Sequence, residues 1–320
     1  MVPNLAVRTS WCPPYDGPVP TGRLPALLAA SHPEPAALVT GLTALLCLAA
    51  GRRWDVLLVG AAVACGQLGV GWSNDYLDRD LDRAQGRLDK PLGLAVTAAT
   101  TATIPTVSGR AGAAAPAAAP AASPLPPTTV RTAALAALAA AVPLSLAAGV
   151  GFAAAHLVAV GLALAYNLRL KVVPLSVVPY AAAFGLLPVA VTLGLPSPRW
   201  PHGWAVAASA LIGAGGHFTQ ALPDIPADRR LGIRGLPQLV GQRASAMAAA
   251  ALLLSASLVI AFGPGRPPGV VRVAGVATAT ALAAGIVAAA LAQRPRLAFR
   301  LTLGAAAVAV VAFVAGGGQL

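Results

Sequence analysis

The sequence predicts an all-α fold: an integral membrane bundle of nine transmembrane helices around a cavity open to the cytoplasmic side. Three observations predict it. Of the 320 residues, 57% are hydrophobic and only 10% charged, with a mean hydropathy of +0.75. A soluble domain carries about a quarter charged residues, so this chain has too few to cover a water-facing surface. Apolar runs near the ~20 residues that cross a bilayer as a helix recur along the whole length, without the short alternating segments of a membrane barrel.

The first 22 residues include Pro13, Pro14, Pro18 and Pro20 and read as a disordered tail with no signal-peptide pattern. Residues 23–320 read as a single membrane domain. Its nine apolar segments lie at about 35–50, 54–72, 130–148, 150–167, 172–194, 203–222, 244–262, 270–291 and 297–316. Only a Gly149-Val150-Gly151 turn divides the third from the fourth. Polar residues interrupt the rhythm over 73–92 and 223–243. Residues 95–128 are Ala/Pro/Thr low complexity with no apolar periodicity, which predicts a mobile loop inserted in the domain.

The net charge is +12, and its placement sets an orientation. With a cytoplasmic N-terminus, Arg52, Arg53, Arg199, Arg266 and Arg272 fall outside and the other seventeen of the 22 basic residues fall inside, as the positive-inside rule requires. Basic residues between apolar runs are loop charges, and no nucleic-acid-binding pattern accompanies them. The expected location is the plasma (inner) membrane of a bacterium, with both polar stretches facing the cytoplasm. Cys12, Cys47 and Cys65 have no metal-ligand spacing and read as inert thiols.

The acidic residues carry the chemical signal. Only ten exist, and seven fall in the two polar stretches. The first cluster, Asn74-Asp75-Tyr76-Leu77-Asp78-Arg79-Asp80-Leu81-Asp82, follows the second apolar run. If that helix continues, Asn74, Asp78 and Asp82 share one face. The second cluster places Asp224 and Asp228 four residues apart, after the sixth run. Like charges at this spacing repel unless something positive lies among them, and a hard divalent cation with oxygen ligands fits. Two magnesium ions between the clusters would bind a diphosphate and neutralise it as it leaves, with Arg and Lys taking other phosphate oxygens. The competing reading is solvated loops whose carboxylates are neutralised by Arg79, Arg83 and Arg87.

Other polar residues are ambiguous. His32 and Glu34, at the mouth of the first helix, would bind or deprotonate an acceptor, or form an interfacial loop pair. His217 and Gln220 would line an acceptor pocket on the sixth helix, or be satisfied within the membrane. His156, mid-run, reads as structural.

At these residues the chain resembles the UbiA superfamily of membrane prenyltransferases. The first family motif, N-D-x-x-D-x-x-x-D, matches Asn74, Asp75, Asp78 and Asp82. The second, D-x-x-x-D followed by glycine, matches Asp224, Asp228 and Gly232. Tyr166 with Lys171, and Lys90-Pro91-Leu92, are similar to two further family elements. The resemblance covers about residues 23–316. It implies nine transmembrane helices and ionisation of an allylic diphosphate, followed by attack of an electron-rich aromatic acceptor of quinone-precursor type on the carbocation. One magnesium would lie on Asn74, Asp78 and Asp82, the other on Asp224 and Asp228. Asp75, Tyr166 and Lys171 take catalytic roles, and Arg87, Lys90, Lys171 and Arg229 hold the diphosphate. His32, Glu34 and His217 remain acceptor-binding candidates. The implied partners are a prenyl diphosphate, a small acceptor and the lipid bilayer, with no nucleic acid. Three departures stand out: Asp89, the proline Pro226 inside the second motif, and the 95–128 insertion. A terpene cyclase of the same superfamily would keep the metal motifs. A transporter would place its charges near the midplane rather than at helix ends.

Overall fold

The computed structural model describes residues 22–84, 90–92, 125–265, 267–318 and 320. Residues 1–21, Arg87, Asp89 and most of the 95–128 insertion lie outside the described residues. All the regular structure described is helical: α1 Arg23–Ala30, α2 Pro33–Ala49, α3 Val56–Ala84, α4 Pro127–Ala147, α5 Val150–Leu168, a 3-10 turn Leu170–Val172, α6 Val177–Leu193, α7 Gly203–Ala221, α8 Ile225–Arg230, α9 Leu236–Val240, α10 Gln242–Phe262, α11 Val270–Leu291 and α12 Pro295–Ala315.

The nine apolar segments coincide with the nine long α-helices among the described residues. Six of these, α3, α4, α5, α10, α11 and α12, are long and apolar enough to cross a membrane. Helices α2 and α6 have 17 residues each, and α7 is diluted by Ser209, His217, Thr219 and Gln220.

The long helices form a closed ring. Helix α3 packs on α2, α4 and α5; α6 lies between α5 and α7; α10 joins α7 to α11; and α12 packs on α11 and returns to α2. Small residues let these helices approach closely, as expected where lipid competes for every apolar surface. At Gly71 the approach is limiting. A Cβ there would overlap the Ser31 carbonyl, so the α1–α2 elbow sits directly on α3. Trp72 Nε1 secures the same elbow by donating to the Leu27 carbonyl at 2.8 Å.

At one end of the ring Arg52 ties three connections together. It is 4% exposed. Its Nη2 donates to the Ala148 carbonyl at 2.8 Å and its Nη1 to the Val191 carbonyl at 3.2 Å, at the ends of α4 and α6. Asp55 pairs with the same guanidinium. A cation at helix C-termini meets unsatisfied carbonyls and the negative end of the dipole.

Candidate active site

The opposite end of the bundle collects both acidic clusters. Helix α3 runs without a break to Ala84, so Asn74, Asp78 and Asp82 do recur on one face. Asn74 Nδ2 donates to Asp78 Oδ2 at 3.0 Å and to Asn167 Oδ1 at 3.3 Å. Asn167 on α5 is held by its own Nδ2 donating to the Val70 carbonyl at 3.0 Å. Asp75 and Asp82 are buried, and a buried carboxylate needs a cation or hydrogen bonds.

Lysines supply the positive charge. Lys90 Nζ lies 2.9 Å from Asp82 Oδ2 and 3.5 Å from Asp75 Oδ1. Its position is fixed by Leu92, which is buried against Ala26, Leu125 and Val130. Lys171, on the 3-10 turn after α5, pairs with Asp78. Arg79 turns away, donating to the Tyr76 carbonyl at 2.7 Å and pairing with Asp80 at 3.3 Å.

The second cluster sits on α8. Asp224 occupies its N-cap position and Pro226 its first turn, although the Asp224 side chain makes no capping bond. Pro226 therefore starts a new helix instead of breaking one. Asp228 is buried and accepts from Gln238 Nε2 at 2.7 Å. Arg229 turns to α9, where its Nε donates to the Gln238 carbonyl and its Nη2 to the Leu239 carbonyl at 2.9 Å. The loop before α9 is tied to the start of α6, because Leu236 N–H donates to Ser176 Oγ at 2.9 Å.

Tyr166 links the clusters. It lies within electrostatic reach of Asp78, Asp224 and Asp228. Its ring meets Tyr180 edge-on at 4.8 Å and His217 at 5.5 Å. Tyr180 donates to Gln220 Oε1 at 2.7 Å, and His217 Nε2 lies 3.0 Å from Ser176 Oγ. From this aromatic group a cavity of ≈ 170 Å³ runs into the bundle between α2, α3, α5, α6, α7 and α12. Asn74, Tyr166, Asn167, Tyr180, Gln220 and His32 line it near the clusters.

The acceptor candidates part company. His32, at the cavity, has φ 54° and its Nε2 lies 3.5 Å from Asp75 Oδ1. Glu34 is exposed and pairs with Arg300 at 2.8 Å. His217 is buried behind Tyr166 and Tyr180 and does not line the cavity. Asn167, Tyr180 and Gln238 were missed from sequence. Asn167 follows a singled-out tyrosine, and Gln238 falls inside the second polar stretch, but neither has a spacing that announces a partner.

Among the described residues no three His, Cys, Asp or Glu side chains converge as a metal cage. The donors present nonetheless fit a magnesium-diphosphate site. Mg²⁺ is usually held by one or two carboxylates, water and substrate phosphates, not by an all-protein cage. The carboxylates of Asp78 and Asp82 each already face an ammonium, so positive charge is what these positions accept.

The family model of the UbiA prenyltransferase family matches residues 37–303. The chain belongs to the UbiA prenyltransferase family. It is therefore a multi-pass integral membrane enzyme of prenyltransferase type. Three solved structures share its architecture. The apo structure of a UbiA homologue from Aeropyrum pernix K1 is 19% identical over 89% of this chain and 98% of that one, with a TM-score of 0.64. A UbiA homologue from Archaeoglobus fulgidus bound to DMAPP and Mg²⁺ is 17% identical over 91% and 97%, with a TM-score of 0.62. A digeranylgeranylglyceryl phosphate synthase is 16% identical over 93% and 99%, with a TM-score of 0.56. At such identities the likeness is one of UbiA fold. No curated protein matches the chain in sequence.

Proposed function

We propose that this UbiA-family enzyme transfers an isoprenoid chain from a prenyl diphosphate to a small aromatic acceptor of quinone-precursor type, within a bacterial inner membrane and with Mg²⁺. The observation that carries this reading is Tyr166, within electrostatic reach of both acidic clusters and lining a mainly apolar cavity. An A. fulgidus homologue of the same fold binds DMAPP and Mg²⁺, which supports the donor class.

The chain's own groups fall into roles. Asn74, Asp78 and Asp82 would hold one Mg²⁺, and Asp224 and Asp228 a second. Bound Mg²⁺ supplies positive charge that neutralises the diphosphate as it leaves. Lys171 and Lys90, displaced from their carboxylates, turn their ammonium groups to the remaining phosphate oxygens. Arg87 lies outside the described residues, and Arg229 must leave two carbonyls before it can join them. Tyr166 and Tyr180 present ring faces to the forming allylic cation. Apolar residues of α3, α5 and α6 take the hydrocarbon chain and exclude water from the cation. His32, beside Asp75 and open to the cavity, is placed to orient or deprotonate the acceptor. The nine long helices are the nine spans of this reading, with the acidic end in the cytoplasm.

The test uses purified protein, radiolabelled prenyl diphosphates of several lengths and a panel of phenolic acceptors. Product should form with Mg²⁺ and stop with EDTA. Asp78→Asn, Asp82→Asn and Asp224→Asn should each cost at least about 100-fold in kcat. Full turnover by any of them, at unchanged expression, refutes the two-metal assignment.

A further inference from the structure

His156 does more than fill space. It is the seventh residue of α5, 3% exposed and stacked on Phe152 with ring centroids 5.3 Å apart. Ser145 on α4 lies beside it. Ser145 Oγ donates to the Ala141 carbonyl at 2.6 Å and sits 2.8 Å from His156 Nδ1. A hydroxyl has one proton, and here the shorter bond takes it. Ser145 then offers only lone pairs, so Nδ1 carries the imidazole hydrogen. In the neutral ring this leaves Nε2 as an acceptor.

Among the described residues that lone pair has no partner. Nε2 is buried without a hydrogen bond, while His156 lines the cavity. Gly66 on α3 is packed close to it: a Cβ there would stand 3.0 Å from both Nε2 and Val160 Cγ2. His156 precedes Tyr166 by ten residues, or about 15 Å along α5 at 1.5 Å per residue. Gln67 also lines the cavity, seven residues before Asn74, so the interior is not purely apolar. An isoprenoid hydrocarbon has no donor to give Nε2, and a buried acceptor left unpaired is unfavourable.

We propose that the deep end of the cavity recognises a substrate hydroxyl, with His156 Nε2 as its hydrogen-bond acceptor and His156 as a specificity-determining residue. The inference rests on the cavity being the substrate site of the proposed transfer. The hydroxyl has two possible sources: an acceptor reaching into the bundle, or an oxygenated end of the prenyl chain. A site that hydrogen-bonds an O–H discriminates strongly against the analogue without it.

The experiment measures binding by thermal shift of the purified full chain, without Mg²⁺, to two probe pairs. One is geranylgeranyl diphosphate and its ω-hydroxy derivative; the other is 1,4-dihydroxy-2-naphthoate and its O-methyl ethers. The wild type should prefer the hydroxylated member of one pair by about tenfold, and the responding pair names the source. His156→Phe should abolish the preference. His156→Gln, whose amide oxygen reaches the Nε2 position, should keep it. Gly66→Ala, which sets a methyl 3.0 Å from Nε2 and spares the Ser145 bond, should weaken it. No preference within either pair, or a preference that survives in His156→Phe, overturns the proposal and leaves Nε2 to water. Because no turnover is read, failure of prenyl transfer in the assay above is a separate result.

Discussion

Lys90 and Lys171 place ammonium groups against Asp75, Asp82 and Asp78, so in this state the protein supplies its own counter-charge. Removing one lysine takes a cation from buried carboxylates, a change that costs about 2 kcal/mol. Lys90→Met should therefore melt earlier than the wild type in EDTA. It should also gain more from added Mg²⁺, because the ion takes over the missing charge; equal gains in a thermal melt would contradict that exchange. The sequence made part of this scale legible. Spacing drew attention to Asn74, Asp78, Asp82, Asp224 and Asp228, and the family resemblance to Lys90, Tyr166 and Lys171. It gave no hint that Asn167 braces Asn74, that Gln238 holds Asp228 or that Arg229 turns to α9. Those pairings join residues 10 or 93 positions apart, or depend on which way a side chain turns.

The elements were easier to read than their ends. Apolar length marks a helix wherever the run nears 20 residues, and all nine such runs are helical. The short helices α1, α8 and α9 escape that signal. Pieces of five to eight residues have no stability of their own and exist because the bundle holds them. Helix α1 is the informative case, since its elbow at Ser31-His32 lies on Gly71. Gly71→Ala should force Ser31 off α3, destabilise the protein by about 1–3 kcal/mol and cut prenyl transfer as His32 moves. Gly60, also on α3, has nothing within 4 Å of the place its Cβ would take. Gly60→Ala should be neutral or raise stability by about 0.5–1 kcal/mol, read by the same melt. Equal losses from both would mean that the elbow contact is unimportant.

At the scale of the whole molecule, the ring of helices separates an acidic end from an end closed by Arg52. From the imbalance of basic residues we propose that the acidic end faces the cytoplasm. In a cysteine-free background, Arg230→Cys should react with an impermeant maleimide only from the cytoplasmic side and Trp200→Cys only from the other, both positions being exposed. The reverse pattern would invert the proposed orientation. Composition alone gave the membrane bundle. It could not give the order of packing around the ring, because every apolar helix presents much the same surface to its rivals.

Arg52 gives this architecture a mechanical asymmetry. With the ends of α4 and α6 and the α2–α3 turn bound to one guanidinium, sliding those helices past one another would break its hydrogen bonds. Compliance is left to the far rim, where the polypeptide is held by short helices, a 3-10 turn and ammonium–carboxylate pairs that a diphosphate would rearrange. On the proposed function the bundle would work like tweezers, with a tight grip at the closed end and small adjustments among the carboxylates setting the gap for the hydrocarbon below them.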